Sequence, residues 1–265
     1  MNSAYPKLKI DWLEGERILH LQLDAPPGNV LDTTLIESLD QALKTHGSAE
    51  SLVAVILEGA GKHFSFGASV EEHTKDKVGV MLPAFHRLIR RVASLGVPTI
   101  SVVRGQCLGG GLELAAVTSW IYAAPEAKFG QPEIQLGVFA PVGSLVLPWR
   151  LGAGRALDLC VSGRSVTAEE ARAAGLVREI SPDPLAQARA MIAKDLLPRS
   201  PSSLRFAERA ARLGLAELLE RQLPTLERIY LEELMATPDA NEGLAAFLEK
   251  RPPQYRAGQR SAHAR

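Results

Sequence analysis

The sequence predicts an α/β protein with a core of parallel strands and a helical C-terminal region, on three observations. Up to about residue 180, short apolar runs alternate with stretches of helical periodicity. Beyond Pro184 strand-forming runs stop, and amphipathic helical patterns follow one another. A glycine run, Gly109 to Gly111, stands where a strand gives way to a helix.

The runs at 18–23, 52–57, 99–103, 120–123 and 176–180 read as strands, and 33–46, 81–95 and 110–118 as helices. Further on, ARAMIAKDLL, SSLRFAERAARLG, LAELLERQLPTLERIYLEELM and NEGLAAFLEKR read as helices punctuated by Pro198, Pro201, Pro224 and Pro238. These patterns divide the chain into a core at 1–195 and a helical region at 196–265, with AGQRSAHAR composed like a loose tail. No internal repeat is present.

Composition removes several classes of function. With 265 residues the chain can bury a substantial core. Its 30 basic and 30 acidic side chains cancel, which leaves no global field for nucleic acid or an anionic membrane. Cys107 and Cys160 lie among apolar neighbours without metal-ligand spacing, so buried thiols are expected rather than a zinc site or disulfide framework. No apolar run reaches the roughly 18 residues of a membrane span and the start lacks a signal core, which makes the cytoplasm the expected location. Neither a G-x-S-x-G elbow nor a phosphate loop is found. His63, His73 and His86 lack the i, i+4 spacing of a helical metal site and are expected at the surface or on a pocket rim.

The residues that carry chemistry lie between Phe64 and Leu136. The first N–H groups of a helix have no internal partner, and glycine lets a ligand approach them closely, so the 109–111 turn is a natural anion site. Alone it reads more readily as a tightly packed corner, and the company of the neighbouring motifs changes that reading. Glu113 stands in the first turn of that helix amid Leu112, Leu114 and Ala115, either as a charge favoured by the helix dipole or as a desolvated acid/base. Glu133 follows Gly130-Gln131-Pro132 and in isolation reads as a solvated loop acid. Two glycine-bearing turns beside two carboxylates are equipment for stabilising an oxyanion while protons move.

FSFGAS, QCLGGGLELA and FGQPEI, with the ending GLAAFLEKR, resemble the crotonase (enoyl-CoA hydratase/isomerase) superfamily from about residue 8 to 255. The resemblance implies a crotonase-like spiral of ββα units with a C-terminal helical trimerisation region, a homo-oligomer that is a trimer or dimer of trimers, and an acyl-CoA thioester as substrate. By position it implies Ala68 and Gly110 as the N–H donors of an oxyanion hole and Glu113 and Glu133 as the hydratase glutamates. No metal or further cofactor is implied, since coenzyme A arrives with the substrate, and neither nucleic acid nor membrane is an expected partner.

Departures from the usual pattern narrow the substrate. Ser69 stands where many simple hydratases have an acidic residue, and Ala140-Pro141-Val142-Gly143-Ser144 replaces the common PGAGG. The wording HFSFGASVEEH, KFGQPEIQLGVFAP and YLEELMA resembles the branch of the family that hydrates cyclohexa-1,5-diene-1-carbonyl-CoA in anaerobic benzoyl-CoA breakdown. Phe66, Phe139 and Val142 are then candidates for an apolar wall against the ring, with ordinary core packing equally open. A straight-chain enoyl-CoA hydratase would share both glutamates, a double-bond isomerase would often keep one, and an RNA-binding relative is disfavoured by the balanced charge.

Overall fold

Alternate residues of the central strands feed two different cores, and this sets the layering. In the computed structural model, which describes residues 4–255, six strands form the main sheet. They are β1 (Leu8–Leu13), β2 (Ile18–Leu23), β3 (Ala54–Gly59), β4 (Thr99–Val103), β6 (Trp120–Ala123) and β9 (Glu179–Ile180), in spatial order β1-β2-β3-β4-β6-β9. Only the β1–β2 pair is antiparallel. Every residue of β3 and β4 is buried, the reason they read as continuous apolar runs. Val55 and Leu57 pack under α1 (Thr33–His46), α2 (Val78–Ser94) and α3 (Gly110–Ala116). Ala54 and Ile56 face the opposite core, closed by Ala188 and Met191 of α7 (Pro184–Met191).

A second, three-stranded sheet positions the site. It consists of β5 (Gln106–Leu108), β7 (Lys128–Gly130) and β8 (Ser165–Thr167) in that order, β5 and β7 running parallel. These strands escape sequence reading because three residues show no alternation. The ends of β5 and β7 are tied by Gly109 N–H donating to Gly130 O at 2.9 Å, so the glycine turn and the approach to Glu133 leave one sheet edge side by side.

Helices complete the chain: α4 (Pro141–Leu151), α5 (Ala153–Ser162), α6 (Ala168–Ala173), α8 (Pro201–Arg228) and α9 (Pro238–Leu248). Strands at 18–23, 99–103 and 120–123 and the helix at 33–46 stand where the sequence puts them. Helix α2 starts three residues early because Val78 already belongs to its buried face, with Met81, Leu82 and Phe85. Leu176 and Val177 are buried against the end of α6 rather than paired in the sheet, so β9 is shorter than the 176–180 run. Pro201 and Pro238 occupy first helical turns, where their missing N–H is not needed, but Pro224 lies inside α8, which continues through it. The AGQRSAHAR segment lies outside the described residues.

Helix α8 is pinned to the sheet by a nearly buried ion pair. Arg212 Nη1 lies 3.2 Å from Glu208 Oε1, while its other nitrogen donates to Val117 O, the last carbonyl after α3. Ser119 Oγ donates to the same Glu208 oxygen at 2.5 Å. Breaking such a pair leaves a buried charge uncompensated, a loss of about 3 kcal/mol or more. Arg212→Met should therefore lower the thermal midpoint by roughly 5–10 °C, and calorimetry on the Arg212→Met, Glu208→Gln double variant should record a smaller loss than on Arg212→Met alone.

Candidate active site

Two backbone turns meet at the start of α3. Gly109 has φ +52° and ψ −129°, a conformation that L side chains avoid, and a Cβ there would lie 2.5 Å from Glu133 Oε1. Glycine is thus required both for the corner and for the closeness of the carboxylate. Gly110 opens the helix with its N–H free of an intrahelical acceptor. The other turn is held by Ser65, whose Oγ donates to Asn29 O at 2.8 Å and accepts from Gly67 N at 3.0 Å. Gly67 takes φ +103°, and Leu31 bridges both sides of Ala68 by donating to Gly67 O and accepting from Ser69 N. These bonds leave the Ala68 amide beside Gly110: a Cβ built on Gly110 would be 3.1 Å from Ala68 N. Among the described residues neither amide donates to a protein acceptor.

Both amides line a cavity of about 440 Å³ together with Glu113, Glu133, Phe66 and Phe139. Glu113 is 4% exposed, and its Oε1 accepts from Gly143 N at 2.6 Å. Burial pushes its carboxyl up to about 7, against the pull of the Gly143 and Val142 amides, which favour the anion. Glu133 is half-buried at the surface of the cavity, and burial followed by the charge of Glu113 raises it well above the usual carboxylate range. The Gly143 and Val142 amides thus oppose the rise at Glu113, whereas the charge of Glu113 adds to it at Glu133. The solvated-loop reading of Glu133 is thereby overturned. Its 3-10 turn, Pro132–Leu136, is pressed by α9 so closely that a Cβ on Gly243 would meet Leu136 O at 2.2 Å.

Residues 14–258 match the enoyl-CoA hydratase/isomerase family. The chain belongs to that family. It is 48% identical to the cyclohexa-1,5-dienecarbonyl-CoA hydratase of Thauera aromatica over 96% of this chain and 99% of the relative. A probable enoyl-CoA hydratase of Rhizobium meliloti is 38% identical over 86% and 90% of the two chains. Among solved structures, an enoyl-CoA hydratase/isomerase from Pseudoalteromonas atlantica superposes with a TM-score of 0.82 at 27% identity, covering 94% of this chain and 99% of that one. The architecture is the crotonase fold.

Within this enoyl-CoA hydratase/isomerase site, several residues stand differently from expectation. Val142 is fully buried and absent from the cavity wall; its backbone amide, not its side chain, faces the site, because α4 turns the side chain into the core. Phe66 and Phe139 do line the cavity. His73 lines it too, its Nδ1 2.7 Å from Ser69 O and its pKa lowered by burial. His63 lies 4.8 Å from the Phe66 ring, and its Nδ1 accepts from Gln106 N. His86 is neither surface nor rim: it sits on the inward face of α2, fully buried, with Nδ1 2.6 Å from Glu227 of α8. Cys107 is buried, whereas Cys160 is half-buried, its thiol pushed up to about 12 mainly by desolvation. Among the described residues no three His, Cys, Asp or Glu side chains cluster as metal ligands would.

Sequence reasoning missed Gln131. It is 1% exposed, and with its NH2 turned toward acceptors it donates at 3.2 Å to both Glu133 Oε2 and Gly109 O. One amide therefore braces the carboxylate and the peptide unit whose other end is the Gly110 N–H. The available signal was its place two residues before Glu133 in an otherwise apolar segment.

Two outcomes follow from the packing. Gly109→Ala drives a methyl into Glu133 and should cost about 100-fold in turnover while the far-ultraviolet circular dichroism stays that of the parent. Glu113 titrates near its ordinary value of 4.5 when unfolded but near 7 when folded, so stability falls as pH rises between the two and the deficit is complete above 7. In urea unfolding, Glu113→Gln should therefore be more stable than the parent by about 3 kcal/mol at about pH 8, with little difference at about pH 4.

Proposed function

We propose that the protein is a hydro-lyase that adds water to cyclohexa-1,5-diene-1-carbonyl-CoA to give 6-hydroxycyclohex-1-ene-1-carbonyl-CoA, a step of anaerobic benzoyl-CoA degradation. The observation that carries the hydration is the pair of carboxylates, Glu113 and Glu133, both raised by desolvation in one cavity beside two free amides. The cyclic substrate is supported by the relative from Thauera aromatica.

The thioester oxygen accepts from the Ala68 and Gly110 amides at the N-terminus of α3. Each such donor is typically worth ~3 kcal/mol in the transition state. Polarisation makes the β carbon electrophilic. Glu113, ionised, takes a proton from water as the water oxygen bonds to that carbon, and the electron pair moves into a dienolate spread over the ring and the thioester. Glu133, protonated, then supplies its proton to carbon. The pair ends with the charge on Glu133 and the proton on Glu113 and resets by returning that proton. No oxidation state changes, so the chemistry needs no redox cofactor, and the apolar faces of Phe66 and Phe139 suit a carbocyclic acyl group.

The same carboxylate pair serves a straight-chain 2-enoyl-CoA hydratase, a second reading favoured by the relative from Rhizobium meliloti. Exposed apolar side chains support a homo-oligomer, a trimer or dimer of trimers: Phe206 at 70% and Leu213 at 58% on α8, and Leu157 at 65% and Val161 at 61% on α5. The cytoplasm, with its pool of acyl-CoA, is the compartment this reading requires. No helix of the described residues is long and apolar enough to cross a membrane.

Regiochemistry separates the cyclic from the linear reading. The named product requires hydroxide at the β carbon and a proton at the far end of the diene. In deuterated water, one deuteron should enter at that remote ring carbon and none at the α carbon, which carries no hydrogen in the product. Nuclear magnetic resonance of the product checks it. An α-deuterated, non-conjugated hydroxyacyl-CoA, or turnover of crotonyl-CoA alone, would transfer the assignment to an ordinary enoyl-CoA hydratase.

A further inference from the structure

Tyr230 lies where α8 widens into a π turn, Ile229–Glu233, a departure from register that recurs at functional sites. Its ring is fully buried and packs against two residues of the cavity wall, with centroids 5.3 Å from Phe139 and 6.3 Å from His73. The phenol oxygen is buried and has no hydrogen-bond partner among the described residues. An unpaired buried hydroxyl is costly, and packing alone would be served by Phe. Burial first, and then the charges of Glu133 and Glu113, hold its proton in place, so at neutral pH the O–H is available to donate.

We infer that Tyr230 is a positioning residue whose O–H receives the negative charge of Glu133 once Glu133 has given its proton to the substrate carbon. The inference rests on the hydratase reading, in which Glu133 begins a turnover neutral and ends it charged. At rest the charge sits on Glu113 between the Gly143 and Val142 amides, and the phenol has no anion to bind. After both proton transfers the charge of the pair is unchanged in amount but has moved to Glu133. Gln131 then holds one carboxylate oxygen and the phenol O–H holds the anion from the α8 side. A donor idle in the ground state and engaged as charge develops accelerates the reaction without tightening substrate binding.

The other titratable groups around the pair do not carry this charge. His73 is kept neutral by burial and is spent on Ser69 O. The Cys160 thiol stays protonated. Arg251, at the cavity rim, is tied to Glu242 and Glu249.

Tyr230→Phe keeps the ring against Phe139 and His73 and removes only the O–H. Its kcat should fall by at least about tenfold with KM within about twofold. Loss of a donor to the anion raises the pKa of Glu133, so the alkaline limb of kcat should move to higher pH. In a Glu133→Gln background, where no charge develops, adding Tyr230→Phe should cost less than about twofold. A readout independent of turnover is the titration of 13C-labelled glutamate carboxyls in the complex with a saturated acyl-CoA, where Tyr230→Phe should shift the Glu133 signal upward. An unshifted titration overturns the inference whatever the substrate. A shifted titration in a protein that hydrates neither the cyclic nor the linear acyl-CoA sustains the Tyr230 contact and overturns the hydratase reading instead.

Discussion

The arrangement depends on bringing a carboxylate against a backbone corner without a side chain between them. Glu133 can lie over Gly109 only because that residue lacks a Cβ and takes a positive φ. The same corner frees the first amides of α3. Acid and oxyanion donor are thus fixed relative to each other by covalent geometry and one short sheet rather than by flexible side chains. The parallel pairing of β5 and β7 holds the two chain segments at sheet spacing, and Gln131 locks the carboxylate to the corner's peptide.

This economy of parts has an energetic counterpart. Two carboxylic acids in a largely apolar cavity destabilise the fold whenever both ionise, and two unpaired amides forgo bonds that secondary structure would otherwise give them. The surrounding core absorbs that deficit. β3 and β4 are buried along their whole length between two layers, and α8 is tied down through Arg212 and Glu208. Rigid surroundings keep the deficit from relaxing, which is what preorganisation means here.

How much of this was legible in the sequence varied with the length of the signal. The longer buried strands and α1 declare themselves by unbroken apolar runs and 3.6-residue periodicity. The three strands that build the site do not, being three residues each. Glu113 was ambiguous until its neighbours in space were known: its amide donors come from Val142 and Gly143, in a segment that sequence alone read as substrate wall. Glu133 reads as solvated because its desolvation comes from elsewhere, including the wall that α9 completes. His86 was misplaced for a similar reason, since its partner Glu227 lies 141 residues away. Motif resemblance points to the glutamates and amides; packing alone shows what surrounds them.

The contact between α9 and the Glu133 turn bears on how the protein is made. Helix α9 presses on Leu136 and Gly137 through Gly243, where nothing larger than hydrogen fits. During synthesis the sheet and the glycine corner leave the ribosome long before α9 does, and domains begin to fold as they emerge. Leu215, Leu219 and Leu223 of α8 and Ala240 and Leu244 of α9 belong to the same core as the sheet, so the nascent chain lacks part of that core as well as one wall of the turn carrying Glu133. The last helix to be made thus closes the core and the site in one step, and a chain interrupted before α9 would lack both.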